Sequence, residues 1–185
     1  MLAPALARDV LKNADLVCSA EHVQDAVERL AGEICRSLSE LNPLVLSVMG
    51  GAVVFSGQLL PKLTFPLDFD YLHATRYGDA TSGSGIEWKV FPQSPVTGRT
   101  VLVLDDVLDE GHTMVAIRDR LLAAGASRFL CAVFADKDIG RAKPIAADFV
   151  GVNLPNRYVF GYGMDVKGAW RNLPAIYALN VNQVL

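Results

Sequence analysis

An α/β domain with a central, mainly parallel sheet flanked by helices is predicted by three stretches of this sequence. Val101-Leu102-Val103-Leu104 is a run of four apolar residues. It puts apolar side chains on both faces of an extended segment, as a strand covered on both sides requires. Leu44 to Met49, apolar but for Ser47, is a second such stretch, closed by Gly50-Gly51. Val23, Ala26, Val27, Leu30, Ala31, Ile34, Cys35 and Leu38 recur at spacings of three and four, the mark of an amphipathic helix over Ala20 to Glu40 that covers a sheet. With 185 residues and 51% apolar composition the chain can bury one substantial core, and a single domain over residues 1–185 is expected.

Taken in order, residues 1–18 carry only a weak pattern and read as a loose arm or a short helix. After the helix and the Leu44 to Met49 strand, Ala52 to Leu60 forms a short helix before Pro61. Phe69 to Ala74 is a further strand, and Ile86 to Val90 alternates as a half-exposed strand does, so the two make a hairpin. Between them lies Gly78-Asp79-Ala80-Thr81-Ser82-Gly83-Ser84-Gly85. Its composition fits a mobile active-site lid and a plain hairpin tip equally well. Phe129 to Ala135 is another buried strand, ending in Asp136-Lys137-Asp138, and Phe149 to Val152 and Tyr158 to Gly161 are short strands. Trp170 to Leu185 has no clear period and reads as a tail packed on the domain.

The chemistry concentrates after Leu104. Asp105, Asp106 and Asp109 follow within five residues, where a parallel strand leaves the sheet and open α/β folds bind ligands. Glu110-Gly111-His112-Thr113 then leads into Met114, Ile117, Leu121 and Ala124, one face of a helix that Gly125 can end. The stretch reads as strand, acidic turn, glycine loop and helix. Free N–H groups at the helix start favour an anion such as phosphate, and Gly111 lets backbone approach it closely. Carboxylates beside a phosphate need a divalent cation or hydroxyl donors between them, so the simplest ligand brings phosphate, hydroxyls and magnesium together.

Other acidic-strand sites are excluded by what accompanies them. There is no G-x-x-x-x-G-K-[ST] for a P-loop and no G-x-G-x-x-G after an early strand for a dinucleotide. The acids follow a late strand, unlike those of a phospho-receiver domain. A net charge of −3 offers no general attraction to nucleic acid or to anionic lipid. Cys18, Cys35 and Cys131 are odd in number and widely spaced, which fits the reduced cytoplasm better than a disulfide framework. The longest uncharged run, Leu41 to Leu60, is broken by Pro43, serines, Gln58 and glycines, so no membrane span is expected.

Taken as one unit, VLVLDDVLDEGHT resembles the signature with which type I phosphoribosyltransferases bind phosphoribosyl pyrophosphate (PRPP). The order Met49-Gly50-Gly51, Arg76-Tyr77, Lys137, then YVFGYGMD and Arg171-Asn172-Leu173-Pro174 is similar to the hypoxanthine-guanine phosphoribosyltransferases from about Ser19 to Leu179. The resemblance implies the type I fold, with a small hood built from the N-terminal arm and residues 149–171 and a flexible loop opened by Arg76 and Tyr77. It implies that Asp105 and Asp106 hold the ribose hydroxyls and a Mg²⁺ ion, and that Glu110, Gly111, His112 and Thr113 cradle the 5-phosphate. Asp109 would be the general acid/base at purine N7. Lys137 would donate to the purine O6, Tyr158 would stack on the ring, and Val159 would meet its edge. Met49, Gly50 and Arg171 would bind pyrophosphate, and Asp165 a second Mg²⁺. The implied partners are PRPP and a 6-oxopurine, within a cytoplasmic homo-oligomer, a dimer or a tetramer, and the implied role is purine salvage yielding IMP or GMP.

Three positions depart from that pattern. The family commonly carries Lys or Arg where Met49 stands, Ser or Thr at Glu110, and Ser at Arg76. Glu110 beside a phosphate is disfavoured, so its side chain is expected to turn away, and Arg76 is expected to restore the charge missing at Met49. Taken alone, Asp165 and Arg171 also fit a structural ion pair, Lys137 a solvated loop lysine, and Tyr158 and Val159 strand core. Two other functions remain open: transfer to another base such as xanthine, and a regulator that keeps the PRPP fold to sense nucleotides.

Overall fold

The structure, a computed structural model, describes residues 2–76 and 86–180, with only the backbone of Arg76. Tyr77 and the expected lid therefore lie outside the described residues, as does the compensating role foreseen for the Arg76 side chain. The chain runs α1 (Pro4–Lys12), β1 (Asp15–Cys18), α2 (Ala20–Leu38), β2 (Leu44–Val48), α3 (Val53–Leu59) and β3 (Asp68–Arg76). It continues through β4 (Ile86–Val90), β5 (Thr100–Leu108), α4 (His112–Ala123), β6 (Arg128–Asp138), β7 (Phe149–Pro155), β8 (Val159–Phe160) and β9 (Ile176–Ala178). Among the described residues, no helix is long and apolar enough to cross a membrane.

Six strands form the large sheet in the order β4-β3-β2-β5-β6-β7. All its pairs are parallel except β3 with the short β4. Alternation along β2 and β5 divides the core in two. Val45, Leu102 and Leu104 pack with the buried face of α2, including Val27, Leu30 and Ile34. Leu44, Leu46, Val101 and Val103 pack with Met114, Ile117 and Leu121 of α4. Burial on both faces is why these strands read as apolar runs, broken in β2 only by Ser47, whose hydroxyl accepts from that of Ser56 at 2.8 Å. The start of α2 is capped by Ser19, whose hydroxyl accepts from the His22 amide at 3.3 Å.

Three strands run further than their apolar residues suggest. The Asp105 to Leu108 stretch is no turn: it continues β5, because β6 keeps pairing beside it, Asp105 opposite Val133 and Leu108 opposite Asp136. Asp136, Lys137 and Asp138 likewise stay in β6, and β7 reaches Pro155. Phe149 to Pro155, expected in the hood, is the edge strand of the large sheet, held there by its parallel register with β6. The hood is instead a second sheet in the order β1-β9-β8, made from both ends of the described chain. Among the described residues, neither the arm, from Leu2, nor the tail, as far as Asn180, is loose. Trp170 donates its indole N–H to the Ala7 carbonyl at 2.7 Å, fastening α1 across the hood.

Close packing under β7 sets a stability prediction. A Cβ on Gly151 would run into the backbone carbonyl of Phe134 on the neighbouring strand, which cannot swing aside as a side chain can. Gly151→Ala is expected to cost about 1–3 kcal/mol by overpacking, read from the urea midpoint.

Candidate active site

Two cavities meet at the C-terminal ends of β2, β5 and β6, the edge at which open α/β sheets bind ligands. The first, about 440 Å³, is walled by Met49 and Gly50 after β2, by Asp105, Asp106 and Asp109 of β5 and the residue after it, and by Glu110 to Thr113 at the head of α4. The second, about 230 Å³, lies toward the hood and gathers Lys137, Tyr158, Val159, Met164 and Asp165. Asp106, Val107, Asp109 and Arg171 line both, so the two spaces open onto one another. Every residue singled out from sequence whose side chain the structure describes lies on one wall or the other.

Asp105 and Asp106 form the floor. Their side chains accept from the next backbone amides, Asp105 from Asp106 at 3.0 Å and Asp106 from Val107 at 2.8 Å. Burial pushes the Asp105 carboxyl well above the ordinary carboxylate range, and the adjoining charge of Asp106 pushes it further. Burial raises Asp106 too, with the Arg171 guanidinium among the influences pulling it back. Glycines make room for this pair. A Cβ on Gly51 would collide with the Asp106 carboxylate, and one on Gly163 with the Gly51 carbonyl. Neither glycine stood out in the sequence as part of the site, although both lie within stretches that did.

At the mouth of the first cavity Gly111 takes φ +83° at the N-cap of α4, a conformation that favours glycine. The helix start therefore presents backbone N–H groups with no capping side chain over them. Glu110 is turned to Arg141, 2.8 Å away, in line with the expectation that its carboxylate avoids the helix head. The opposite wall holds His73 and Thr75 of β3, to which the sequence assigned no role.

In the second cavity Lys137 pairs with Asp109 at 2.7 Å. Lys137 is 12% exposed and Asp109 50%, so the lysine is recessed in the wall rather than solvated. Tyr158 is exposed on the rim with its hydroxyl 3.4 Å from the Asp165 carbonyl oxygen, while Val159 is buried. Asp165 and Arg171 form an ion pair, and Asp165 also accepts from the Gly168 amide at 2.6 Å. Arg171 reaches the Gly163 carbonyl as well.

Among the described residues no three His, Cys, Asp or Glu side chains converge as a closed metal cage. The donors still suit a hard divalent cation that takes its remaining ligands from a substrate: two recessed carboxylates, each raised by burial, gain from a neighbouring positive charge. Together the cavities offer acceptors for hydroxyls, N–H donors for an anion, and a slot whose wall carries the Lys137 ammonium beside the Asp109 carboxylate, with Asp106, Asp165 and Arg171 also lining it.

Known proteins are similar to this chain in sequence and in fold. The phosphoribosyl transferase domain family matches residues 19–167. The hypoxanthine-guanine phosphoribosyltransferase of Bacillus subtilis (strain 168) is 32% identical over 166 residues, covering 89% of this chain and 92% of that one. The bifunctional protein TilS/HprT of Listeria monocytogenes serotype 4b (strain F2365) is 34% identical over 163 residues, and there the match spans 87% of this chain but only 25% of the relative. The solved structure of a hypoxanthine-guanine-xanthine phosphoribosyltransferase superposes with a TM-score of 0.82 at 30% identity, over 91% of this chain and 99% of that one. With that family matched over most of its length, the chain belongs to the phosphoribosyl transferase domain family.

Proposed function

We propose that the chain transfers the 5-phosphoribosyl group of PRPP to N9 of hypoxanthine or guanine, releasing pyrophosphate and IMP or GMP. The observation that carries this reading is the junction of the two cavities at Asp106, Asp109 and Arg171. A sugar phosphate seated in the first meets a flat base seated in the second at that junction, so reactants held there react as one unit.

Each wall then has a task. Asp105 and Asp106 accept hydrogen bonds from the ribose 2- and 3-hydroxyls, and the N–H groups at the head of α4, from Gly111 to Thr113, hold the 5-phosphate. Arg171 and the Met49-Gly50 peptide hold pyrophosphate oxygens, Arg171 exchanging its Asp165 partner for them. Lys137 donates to the purine O6 and Tyr158 covers the ring. Asp109, released from Lys137, accepts or returns the proton at N7 as charge shifts through the base. Mg²⁺ suits Asp105 and Asp106, with Asp165 for a second ion; when bound it neutralises charge on the pyrophosphate group. On this reading residues 1–185 form one catalytic domain with its hood, working as a homo-oligomer in the cytoplasm, where its free cysteines stay reduced.

The test is nucleotide formation by the purified chain with PRPP, Mg²⁺ and each of hypoxanthine, guanine, xanthine and adenine. Turnover is expected with the first two. A preference for adenine would remove Lys137 from its place at O6, since an amino group there cannot accept the lysine's hydrogen bond.

A further inference from the structure

Lys143 lies in the stretch between β6 and β7, outside helix and strand, yet its side chain is only 11% exposed. Its ammonium donates to the Leu108 carbonyl at 2.7 Å and pairs with the carboxylate of Asp136. Leu108 and Asp136 face each other in the β5–β6 ladder, so one lysine bridges the two strands where their pairing stops. The residues around it brace the same turn. Arg141 holds Glu110 at 2.8 Å. Pro144 and Ile145 lie 3.4 Å and 3.2 Å from where a Gly111 Cβ would stand. Leu108, Glu110 and Gly111 are thus all tied to residues 141–145, while Asp109 alone points the other way, to Lys137.

We propose that Lys143 is a positioning residue for the transfer reaction, fixing the end of β5 so that Asp109 meets the purine at the right distance. It touches neither cavity wall shared with Asp109, and acts through the backbone at Leu108 and the side chain at Asp136. Burying an ammonium is costly unless its hydrogen bonds are made, and both of its partners are groups of the site's own framework. Removing it leaves Asp136, 29% exposed, without its cation and frees the Leu108 carbonyl immediately before Asp109. A shift of the turn by about 1 Å is enough to cost as much as 10²-fold in rate.

This rests on the transferase reading above, and the experiment separates the two. Wild-type protein, Lys143→Met, Lys143→Gln and Lys143→Arg are compared for kcat per folded molecule, with PRPP affinity from calorimetry and the folded fraction from thermal unfolding. The Met and Gln variants are expected to lose about 10- to 100-fold in kcat with PRPP affinity held, and Arg, which keeps the charge and the donors, to recover most of it. In an Asp109→Asn background the Lys143→Met loss is expected to vanish, because a group that acts only by placing Asp109 has nothing left to place. A kcat that is unchanged, or a loss that adds in full to that of Asp109→Asn, overturns the role of Lys143. A wild-type protein without turnover overturns the transferase reading and this one with it.

Discussion

Asp109→Asn is expected to lower kcat by about 10²–10⁴-fold, the usual worth of a positioned general acid/base, while PRPP affinity and thermal stability stay near wild type. Asn keeps the size of the side chain and an oxygen that accepts from Lys137, so the 2.7 Å contact can persist. What disappears is the carboxylate that exchanges the proton with N7. The stability half of the prediction follows from what Asn retains: Lys137, 12% exposed, keeps a hydrogen-bond acceptor, and with Asp109 itself 50% exposed the lost charge contributes little to folding, on the order of 0–1 kcal/mol. Loss of rate without loss of fold therefore separates chemistry from architecture. Steady-state kcat with hypoxanthine, set beside a calorimetric titration of PRPP and a melting curve, reads all three quantities. If the Asn variant turned over at the wild-type rate, proton transfer at N7 would have to be assigned elsewhere.

Much of the framework was legible because it is written in short-range patterns. The α2 face from Val23 to Leu38 repeats every turn, and the apolar stretches of β2 and of Val101 to Leu104 in β5 show burial on both sides. What escaped was set by partners far away in the chain. The strand character of Asp105 to Leu108 comes from β6, whose backbone keeps pairing past the last apolar residue. The hood strands β1 and β9 are four and three residues long, too short to display a period, and they find each other across the length of the chain.

The site shows the same division. Its acids, the Gly111 loop and the α4 start are contiguous in sequence and could be read as one motif. The Lys137–Asp109 contact joins residues 28 apart only because β5 and β6 are neighbours. Gly51 and Gly163 matter through the space they leave over Asp106, a property with no sequence period at all. Arg141 and Lys143 gave no signal, being cations in a stretch without periodicity.

Asp105→Asn is expected to make the ligand-free protein more stable, by about 0.5–2 kcal/mol, and to cripple catalysis. Burial and the charge of Asp106 hold the Asp105 carboxyl above its ordinary value of 3.8, so the folded state retains a proton that the unfolded chain gives up. Where the folded state binds more protons, stability falls as pH rises. In magnesium-free buffer the pair's contribution is thus fully favourable below about pH 3.8 and is lost as pH climbs through the raised folded value. Asn cannot ionise, so the variant's advantage should be absent in acid and widen toward neutrality, showing as a Tm gain of roughly 2–4 °C for each kcal/mol. Saturating PRPP and Mg²⁺ should reverse the ranking. A ligand at 100 times its Kd adds about 2.7 kcal/mol to the protein that binds it, and the variant, short of one acceptor for the ribose hydroxyls and the cation, gains less. Melting curves across pH, with and without ligand, follow the crossover. A variant less stable than wild type at neutral pH without ligand would mean that the charge on the 3.0 Å bond from the Asp106 amide, which Asn keeps only as a neutral bond, outweighs the repulsion, and the two carboxylates would then be a settled part of the fold rather than charges held ready for a substrate.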